Sequence, residues 1–251
     1  MKSYQPDFIK PSIFDEERIS SWFTKKGESV QDDYEIEGLN LGFNTKEKKE
    51  TVEGNRNFLA NNISTDVSNI AFANQVHGNE ILEVKKGGIY ENIDGFITRE
   101  KGLALAIQVA DCAAILLADS KAGIISAVHA GWRGAEASIV PDALQKMIAL
   151  GADLKDIKVF LSPCISQEKF EIGEEVASKF PDGFIDRKSF SKPHMDIKGF
   201  IKSQLLNAGV FESNIEIDSG CTFSDSDYYS YRRDGKKAGR MMGIIKLNVE
   251  V

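Results

Sequence analysis

Short apolar runs bounded by turn residues recur along most of the chain, which is the pattern of buried β-strands. Glycines and polar residues interrupt these runs at intervals too short for long apolar helices. The strands that the pattern predicts cover residues 70–73, 80–84, 103–109, 113–117, 123–128, 159–161, 215–217 and 241–249. The sequence therefore predicts sheets whose strands are covered on both faces.

Stretches with apolar residues three and four positions apart predict helices over residues 46–61, 168–180 and 196–208. Another helix is expected between the segment HAGWRGA and Leu150, where Gly151 would cap its C-terminus. Strands and helices are interleaved without strict βαβ alternation. We therefore predict an α/β or α+β fold, a single-domain layered sandwich of mixed β-sheets flanked by helices over residues 1–251.

Composition limits the possible functions. A chain of 251 residues with 42% hydrophobic content can bury a sizeable core without disulfides, and its three widely spaced cysteines indicate reduced thiols. The net charge of −7 argues against partners that carry phosphate backbones or anionic lipid. No secretory or membrane-spanning pattern is visible, so we expect a cytoplasmic monomer or small homo-oligomer that binds a small molecule, not nucleic acid or membrane.

Two of the three histidines, His77 and His129, each follow a valine and precede a glycine by one or two positions. Each could instead be a core or turn histidine, and Cys112 could be a small buried hydrophobe. The neighbouring Asp111 interrupts the apolar run QVADCAAILL, and a buried carboxylate needs a partner, which indicates a polar site. Two imidazoles and a thiolate suit zinc or copper, and three ligands with an open position are typical of catalytic zinc.

Two other segments are candidates for binding anions. HAGWRG places Arg133 between a buried strand and a helix, where free backbone N–H groups can hold an anion, although a tight turn with solvated arginine is the alternative. YSYRRDGKKAGR clusters Arg232, Arg233 and Arg240 in an acidic protein. Guanidinium groups bind phosphate or carboxylate in pairs of hydrogen bonds, but a charged surface hairpin would have the same composition.

The motifs taken together resemble a known family. NQVHG, the pair Asp94-Gly95, ADC, HAGWRG, CTF at Cys221 and YSYRRDG with the later GR occur in this order from residue 40 onward. The chain is similar in these segments to the YfiH/YlmD-type laccase-domain family, whose members were first labelled multicopper polyphenol oxidases and are now regarded as purine nucleoside phosphorylases.

The resemblance implies an α/β sandwich similar to a toxin deamidase, and a zinc site at His77, Cys112 and His129. It also implies phosphorolysis of adenosine, inosine and methylthioadenosine to free base and a ribose 1-phosphate, with deamination of adenosine. Asp111 and Asp94 are the candidates for proton transfer or for orienting another group. For phosphate and substrate we predict Arg133, Arg232 and Arg233, together with Asn44 and Arg56.

Alternatives to this function remain at the level of sequence. Cys112 and His129 could form the nucleophile–base pair of a hydrolase or amidase. The three ligands could also hold a purely structural zinc ion. A copper-dependent polyphenol oxidase is disfavoured, because three histidines cannot ligate the four copper ions of a laccase.

Overall fold

The computed structural model describes residues 6–249, and two large sheets form the centre of the fold. In chain order the strands are β1 (Phe8–Ile9), β2 (Ile19–Thr24), β3 (Ile70–Asn74), β4 (Ile81–Glu83), β5 (Gly88–Glu91), β6 (Gly95–Thr98), β7 (Ala104–Val109), β8 (Ala113–Asp119), β9 (Ile124–Ala130), β10 (Lys158–Leu161), β11 (Ile185–Asp186), β12 (His194–Met195), β13 (Ile215–Ile217) and β14 (Met241–Leu247). The helices are α1 (Lys49–Asn62), α2 (Trp132–Glu136), α3 (Ile139–Ala149), α4 (Glu174–Ala177), α5 (Ile197–Asn207) and α6 (Tyr231–Asp234).

Both large sheets mix parallel and antiparallel pairs. The first has the strand order β1-β2-β14-β7-β3-β5, and the second has the order β13-β10-β8-β9-β6-β4. A short hairpin of β11 and β12 stands apart from them. The fold class predicted from the sequence, mixed sheets flanked by helices, is confirmed.

Four layers result from burying both faces of each sheet. Phe23, Phe96 and Phe160 belong to the core between the two sheets. Helices α3 and α5 cover the outer face of the second sheet, and α1 covers the outer face of the first. Strands β7, β8 and β9 are buried along their whole length, which explains why they are nearly continuous apolar runs in the sequence.

Most predicted elements are present, with boundaries shifted by a few residues. The helix expected before Leu150 divides into α2 and α3 because Ser138 takes a left-handed conformation with φ of 64°. No helix in the described part of the chain is long and apolar enough to cross a membrane.

The helix predicted over residues 168–180 is wrong. Only α4 is α-helical in that range, and Gly173 is its N-cap. The backbone before it is extended against another segment, because the N–H of Ile172 donates to the carbonyl of Pro193 and the N–H of Met195 donates to that of Phe170. Tertiary pairing thus overrides a helical spacing of apolar residues.

Two chain crossings between the sheets create the site. Residues 75–80 connect β3 of the first sheet to β4 of the second, and residues 110–112 connect β7 to β8 in the same way. His77 lies on the first crossing and Cys112 on the second. The C-terminal end of β9, which pairs with both β6 and β8, brings His129 beside His77 and Cys112.

Candidate metal centre and pocket

The side chains of His77, Cys112 and His129 converge although they are far apart in sequence. Their nearest ligand atoms all lie within 4.8 Å of one another. The two imidazole rings meet edge to face with their centroids 4.7 Å apart. The structure therefore brings together the three residues that the sequence singled out, on one wall of a pocket.

Asp94 organises two of these residues at once. Its buried carboxylate lies 2.8 Å from Nδ1 of His129, which leaves the other ring nitrogen to face the cluster. The same carboxylate accepts backbone N–H groups from Val76, His77 and Gly78 at 3.1, 3.0 and 2.7 Å. Burial raises the pKa of Asp94, but the His129 contact and these backbone donors outweigh it and lower the pKa below its usual value.

The turn around His77 depends on this carboxylate. His77 has a φ of 61°, a left-handed conformation that a histidine seldom adopts. Three consecutive N–H groups aimed at one carboxylate stabilise such a turn. Of the two roles predicted for Asp94, proton transfer or the orientation of another group, this geometry favours the second, because one carboxylate holds both histidines.

Cys112 is acidified by its neighbours. Burial raises the pKa of its thiol, but the charges and hydrogen bonds of His129 and His77 outweigh burial and lower the pKa to about 6. Burial in turn lowers the pKa of His129, whereas Cys112 and Asp94 raise it to about 9. Without a metal ion the cluster holds a thiolate beside an imidazolium near neutral pH.

The cluster fits a zinc ion in its donor set. One thiolate and two imidazoles are ligands of the type that zinc binds, and Asp94 supplies the outer carboxylate that typically fixes a ligating histidine. Gly131 makes room for the sulfur, because an added Cβ there would lie 2.8 Å from Cys112 Sγ. Among residues 6–249, no other group of three or more histidine, cysteine or acidic side chains is arranged to hold a metal ion.

The cluster opens into a pocket of about 540 Å³. This volume is in the range of pockets that bind small ligands. Its walls combine amide, aromatic and cationic side chains. Besides the cluster, the lining residues include Asn44, Gln75, Gln108, Asp111, Trp132, Arg133, Phe170, Tyr231, Arg232 and Arg240.

Asp111 lines the pocket and ties three segments together. Its carboxylate accepts a hydrogen bond from the Thr222 hydroxyl at 2.7 Å and another from the backbone N–H of Arg232 at 2.6 Å. Its carbonyl accepts the N–H of Ile165. Its φ of 86° turns the chain immediately before Cys112. This geometry agrees with the prediction that Asp111 faces a polar site. Its carboxylate holds the segments of Thr222 and Arg232 against the chain beside Cys112.

Two of the predicted arginines reach the pocket. Arg133 is exposed at its edge, with the guanidinium 4.2 Å from the centroid of the Trp132 ring. Arg232 extends over Phe170 and donates from Nη1 to the carbonyl of Glu171 at 2.7 Å. Asn44 also lines the pocket, as we expected from the sequence.

The other two arginines are not brought to the pocket. Arg233 donates to the carbonyls of residues 222, 223, 225 and 228 and to the carboxylate of Asp234, so it ties together its own loop. Arg56 is buried between the rings of Phe43 and Phe72, each about 4.1 Å from its guanidinium carbon. Neither side chain is among those that line the pocket, so the structure does not bring these two predicted residues to it.

Several pocket residues are not among those predicted to bind phosphate or substrate. Gln75 clamps the end of β7, since its side-chain amide both donates to and accepts from the backbone of Gln108 at 2.9 Å. Gln75 lies in the NQVHG motif and Gln108 interrupts an apolar strand, so both carried a signal. Arg240 and Tyr231 lie in the basic C-terminal cluster, but nothing in that cluster distinguishes them before folding.

Comparisons with known proteins agree with this geometry. Residues 20–248 match the family model described as multi-copper polyphenol oxidoreductase laccase. The chain belongs to this family. It is 36% identical over 220 residues to a purine nucleoside phosphorylase of Corynebacterium glutamicum, covering 84% of this chain and 88% of that one. A purine nucleoside phosphorylase of Deinococcus radiodurans is 35% identical over 215 residues, with 84% and 82% covered.

Solved structures share the fold of this laccase-family chain. YlmD from Geobacillus stearothermophilus superposes with a TM-score of 0.90 at 24% identity, covering 99% of this chain and 98% of that one. Bacillus licheniformis YfiH superposes with a TM-score of 0.86 at 25% identity, covering 92% and 93%. The resemblance predicted from the motifs is thus confirmed.

Proposed function

We propose that this chain is a zinc-dependent purine nucleoside phosphorylase. Its substrates would be adenosine, inosine and S-methyl-5'-thioadenosine, with a further adenosine deaminase activity. The observation that carries the proposal is the His77–Cys112–His129 cluster in the wall of a pocket that also presents cationic side chains. The curated relatives named as purine nucleoside phosphorylases support the substrate class.

Phosphorolysis exchanges one bond to the ribose for another. A phosphate oxygen bonds to C1' of the ribose while the bond from C1' to N9 breaks, and the electron pair and a proton go to the purine. The sugar passes through a cationic state, so phosphate must be held against it without losing its charge. Arg133 and Arg232, which line the pocket, are the proposed donors among the residues predicted from sequence.

Zinc, where bound, supplies a Lewis acid that polarises a substrate or lowers the pKa of water. The protein's own contribution is the orientation of the ligands. Asp94 fixes the imidazole of His129 and the turn of His77, and both oxygens of Asp94 are already hydrogen-bonded. The aromatic walls at Trp132, Phe170 and Tyr231 suit the faces of a purine base.

Product analysis tests the proposal. Zinc-loaded protein is incubated with inosine or adenosine, with and without phosphate, and the bases and nucleosides are separated by chromatography. We expect hypoxanthine from inosine only when phosphate is present, with ribose 1-phosphate in equal amount. Adenosine should give adenine with phosphate and inosine without it. Zinc-loaded protein that forms none of these products would refute the proposal.

One specific observation favours a second candidate, a cysteine hydrolase or amidase. Cys112, His129 and Asp94 stand in the order of a nucleophile, a base and its orienting carboxylate, with the pKa of Cys112 lowered to about 6. This enzyme would work without metal and would lose activity when iodoacetamide alkylates Cys112. The phosphorylase, in contrast, should lose activity when a chelator removes its metal.

A further inference from the structure

Arg240 is the least exposed of the three arginines that line the pocket. Its Nη1 donates to the carbonyls of Ala238 and Gly239 at 2.9 and 3.0 Å. Its Nε and Nη2 atoms make no hydrogen bond with any described residue, and no carboxylate among residues 6–249 lies within ion-pair distance. Cys112 and Asp111 act on this guanidinium only through longer-range charge, and a partly buried guanidinium with no directly paired carboxylate is suited to an anionic ligand.

The other arginines differ in this respect. Arg233 has its donors engaged by its own loop, and Arg232 has one nitrogen engaged by Glu171. Arg133 is exposed to solvent, where an anion would compete with water. Of the arginines that line the pocket, Arg240 alone combines burial with free donors.

The backbone around Arg240 is fixed by a buried asparagine. Oδ1 of Asn40 accepts the N–H of Arg240 at 2.9 Å and the N–H of Gly42 at 3.1 Å. The N–H of Leu41 in turn donates to the carbonyl of Arg240. Two segments that are 200 positions apart are therefore held in one geometry.

Gly42 brings a second polar group to the same place. A Cβ added at Gly42 would lie 2.9 Å from Cβ of Arg240 and 3.0 Å from Oδ1 of Asn44. Only glycine thus lets the stem of Arg240 and the carboxamide of Asn44 approach this turn together. The Asn44 side chain lines the pocket and makes no hydrogen bond with a described residue.

We propose that Arg240 and Asn44 form the phosphate subsite of the pocket. This inference rests on the proposed phosphorylase function. The Nε and Nη2 donors of Arg240 present the paired geometry that binds two oxygens of one phosphate, and the Asn44 amide donates to a third. The phosphate then faces the ribose with part of its charge neutralised by Arg240, and the cluster at Cys112 remains available to the rest of the substrate.

Phosphate kinetics test this subsite. Initial rates of hypoxanthine release from inosine are measured over a range of phosphate concentrations for zinc-loaded wild type, Arg240→Gln, Arg240→Lys, Asn44→Ala and Arg133→Gln. We expect Arg240→Gln to raise the KM for phosphate roughly 10- to 100-fold, because a charge-assisted pair of hydrogen bonds is lost. Arg240→Lys should recover part of that loss, and the KM for inosine should change much less.

Control measurements separate a subsite from a structural role. Arg99→Gln removes an exposed arginine outside the pocket and should leave the KM for phosphate unchanged. Zinc content and Tm show whether each variant is folded. Added guanidinium should partly restore the phosphate-dependent rate of Arg240→Gln, a rescue that a merely destabilised protein would not give.

Two results overturn the inference, and both differ from failure of the proposed function. An unchanged KM for phosphate in Arg240→Gln, or an increase confined to Arg133→Gln, would place phosphate elsewhere. If wild type releases no base, calorimetric titration with inorganic phosphate decides. Binding by wild type that Arg240→Gln abolishes supports the subsite without the phosphorylase, whereas no binding by wild type refutes the subsite.

Discussion

The two sides of the pocket are built differently. On one side, His129 is part of β9, and Cys112 and His77 lie on tight crossings between the sheets, with Asp94 holding both histidines. On the other side, Arg232 and Arg233 lie on the four-residue helix α6, and Arg240 lies on the loop before β14. There, contacts from side chain to backbone, such as those of Asp111 and Arg233, replace strand pairing.

Because of this difference, we expect metal binding and the binding of anion or nucleoside to respond to different substitutions. The side with the His–Cys–His cluster is fixed by the central sheets, so metal affinity should depend on the three ligands and on Asp94, which orients two of them. The arginine side is held by individual hydrogen bonds, so changes there should affect the anion or the nucleoside and leave the metal in place. Substitutions on each side test whether metal binding and anion binding can be changed separately, and the largest effect is expected at Cys112.

Cys112→Ala should abolish the metal centre. Loss of the only thiolate of the cluster removes a ligand outright, and we expect zinc affinity and phosphate-dependent turnover each to fall by at least about 100-fold. Metal analysis by mass spectrometry of purified variant and wild type measures this. Full zinc content in the variant would mean that another group is the third ligand.

Asp94→Asn should weaken both histidines without removing either. The amide keeps the size of the carboxylate but loses the charge beside His129 and part of the acceptor capacity for the His77 turn. Zinc affinity should fall roughly 10- to 100-fold, as for other outer carboxylates of zinc sites. Competition with a chelating dye measures the affinity, and an unchanged value would contradict the role given to Asp94.

Gly131→Ala tests the close approach of the backbone to the sulfur. The φ of Gly131 is −83°, which alanine adopts freely, so the effect would come from the added Cβ near Cys112 Sγ. We expect zinc affinity to fall about 10-fold with little change in fold. Gly183→Ala is the matched control, because a Cβ there meets no atom within 4 Å.

Arg233→Lys should act on the opposite side of the pocket. Lysine cannot reproduce the fan of hydrogen bonds to the carbonyls of this loop, so the free energy of unfolding should decrease by about 1–2 kcal/mol. The KM for nucleoside should rise a few-fold, since Arg232 and Tyr231 share the loop. Zinc content should stay at the wild-type level, and its loss would show that the two sides are not separable.

The smallest expected effect is in the pH dependence of Cys112 alkylation. In metal-free protein the pKa of Cys112 is about 6, below the usual 9.0, because His129 and His77 outweigh burial. As the pH falls from 9, the thiolate should persist, and its alkylation by iodoacetamide should decline only near pH 6. Peptide mapping separates Cys112 from Cys221. A decline already near pH 8 to 9 would mean that the imidazoles do not act on the sulfur.

The same two sides explain what the sequence could predict. The strands around the cluster are continuous apolar runs, and scarce histidines beside glycines stand out within them, so the metal side was accessible to pattern and resemblance. The arginine side was not, because its charges look alike in sequence. Only folding shows that Arg56 is buried between aromatic rings, that Arg233 binds its own loop, and that Arg240 lines the pocket with part of its surface buried.

The false helix over residues 168–180 has a related cause. Phe170, Val176 and Phe180 have a helical spacing and are buried against the second sheet's outer layer. The partners that keep Phe170 and Ile172 extended lie more than 20 positions later in the chain, near Pro193. Local periodicity cannot reveal such pairing.

A zinc titration of turnover tests directly whether the His77–Cys112–His129 cluster is the catalytic metal centre. Metal-free protein receives increasing zinc while phosphate-dependent release of hypoxanthine from inosine is followed. We expect a rate that rises to a plateau at one zinc per chain, with no release from Cys112→Ala at any zinc concentration. Release by metal-free protein at the full rate, or a rate independent of zinc, would contradict this role of the cluster.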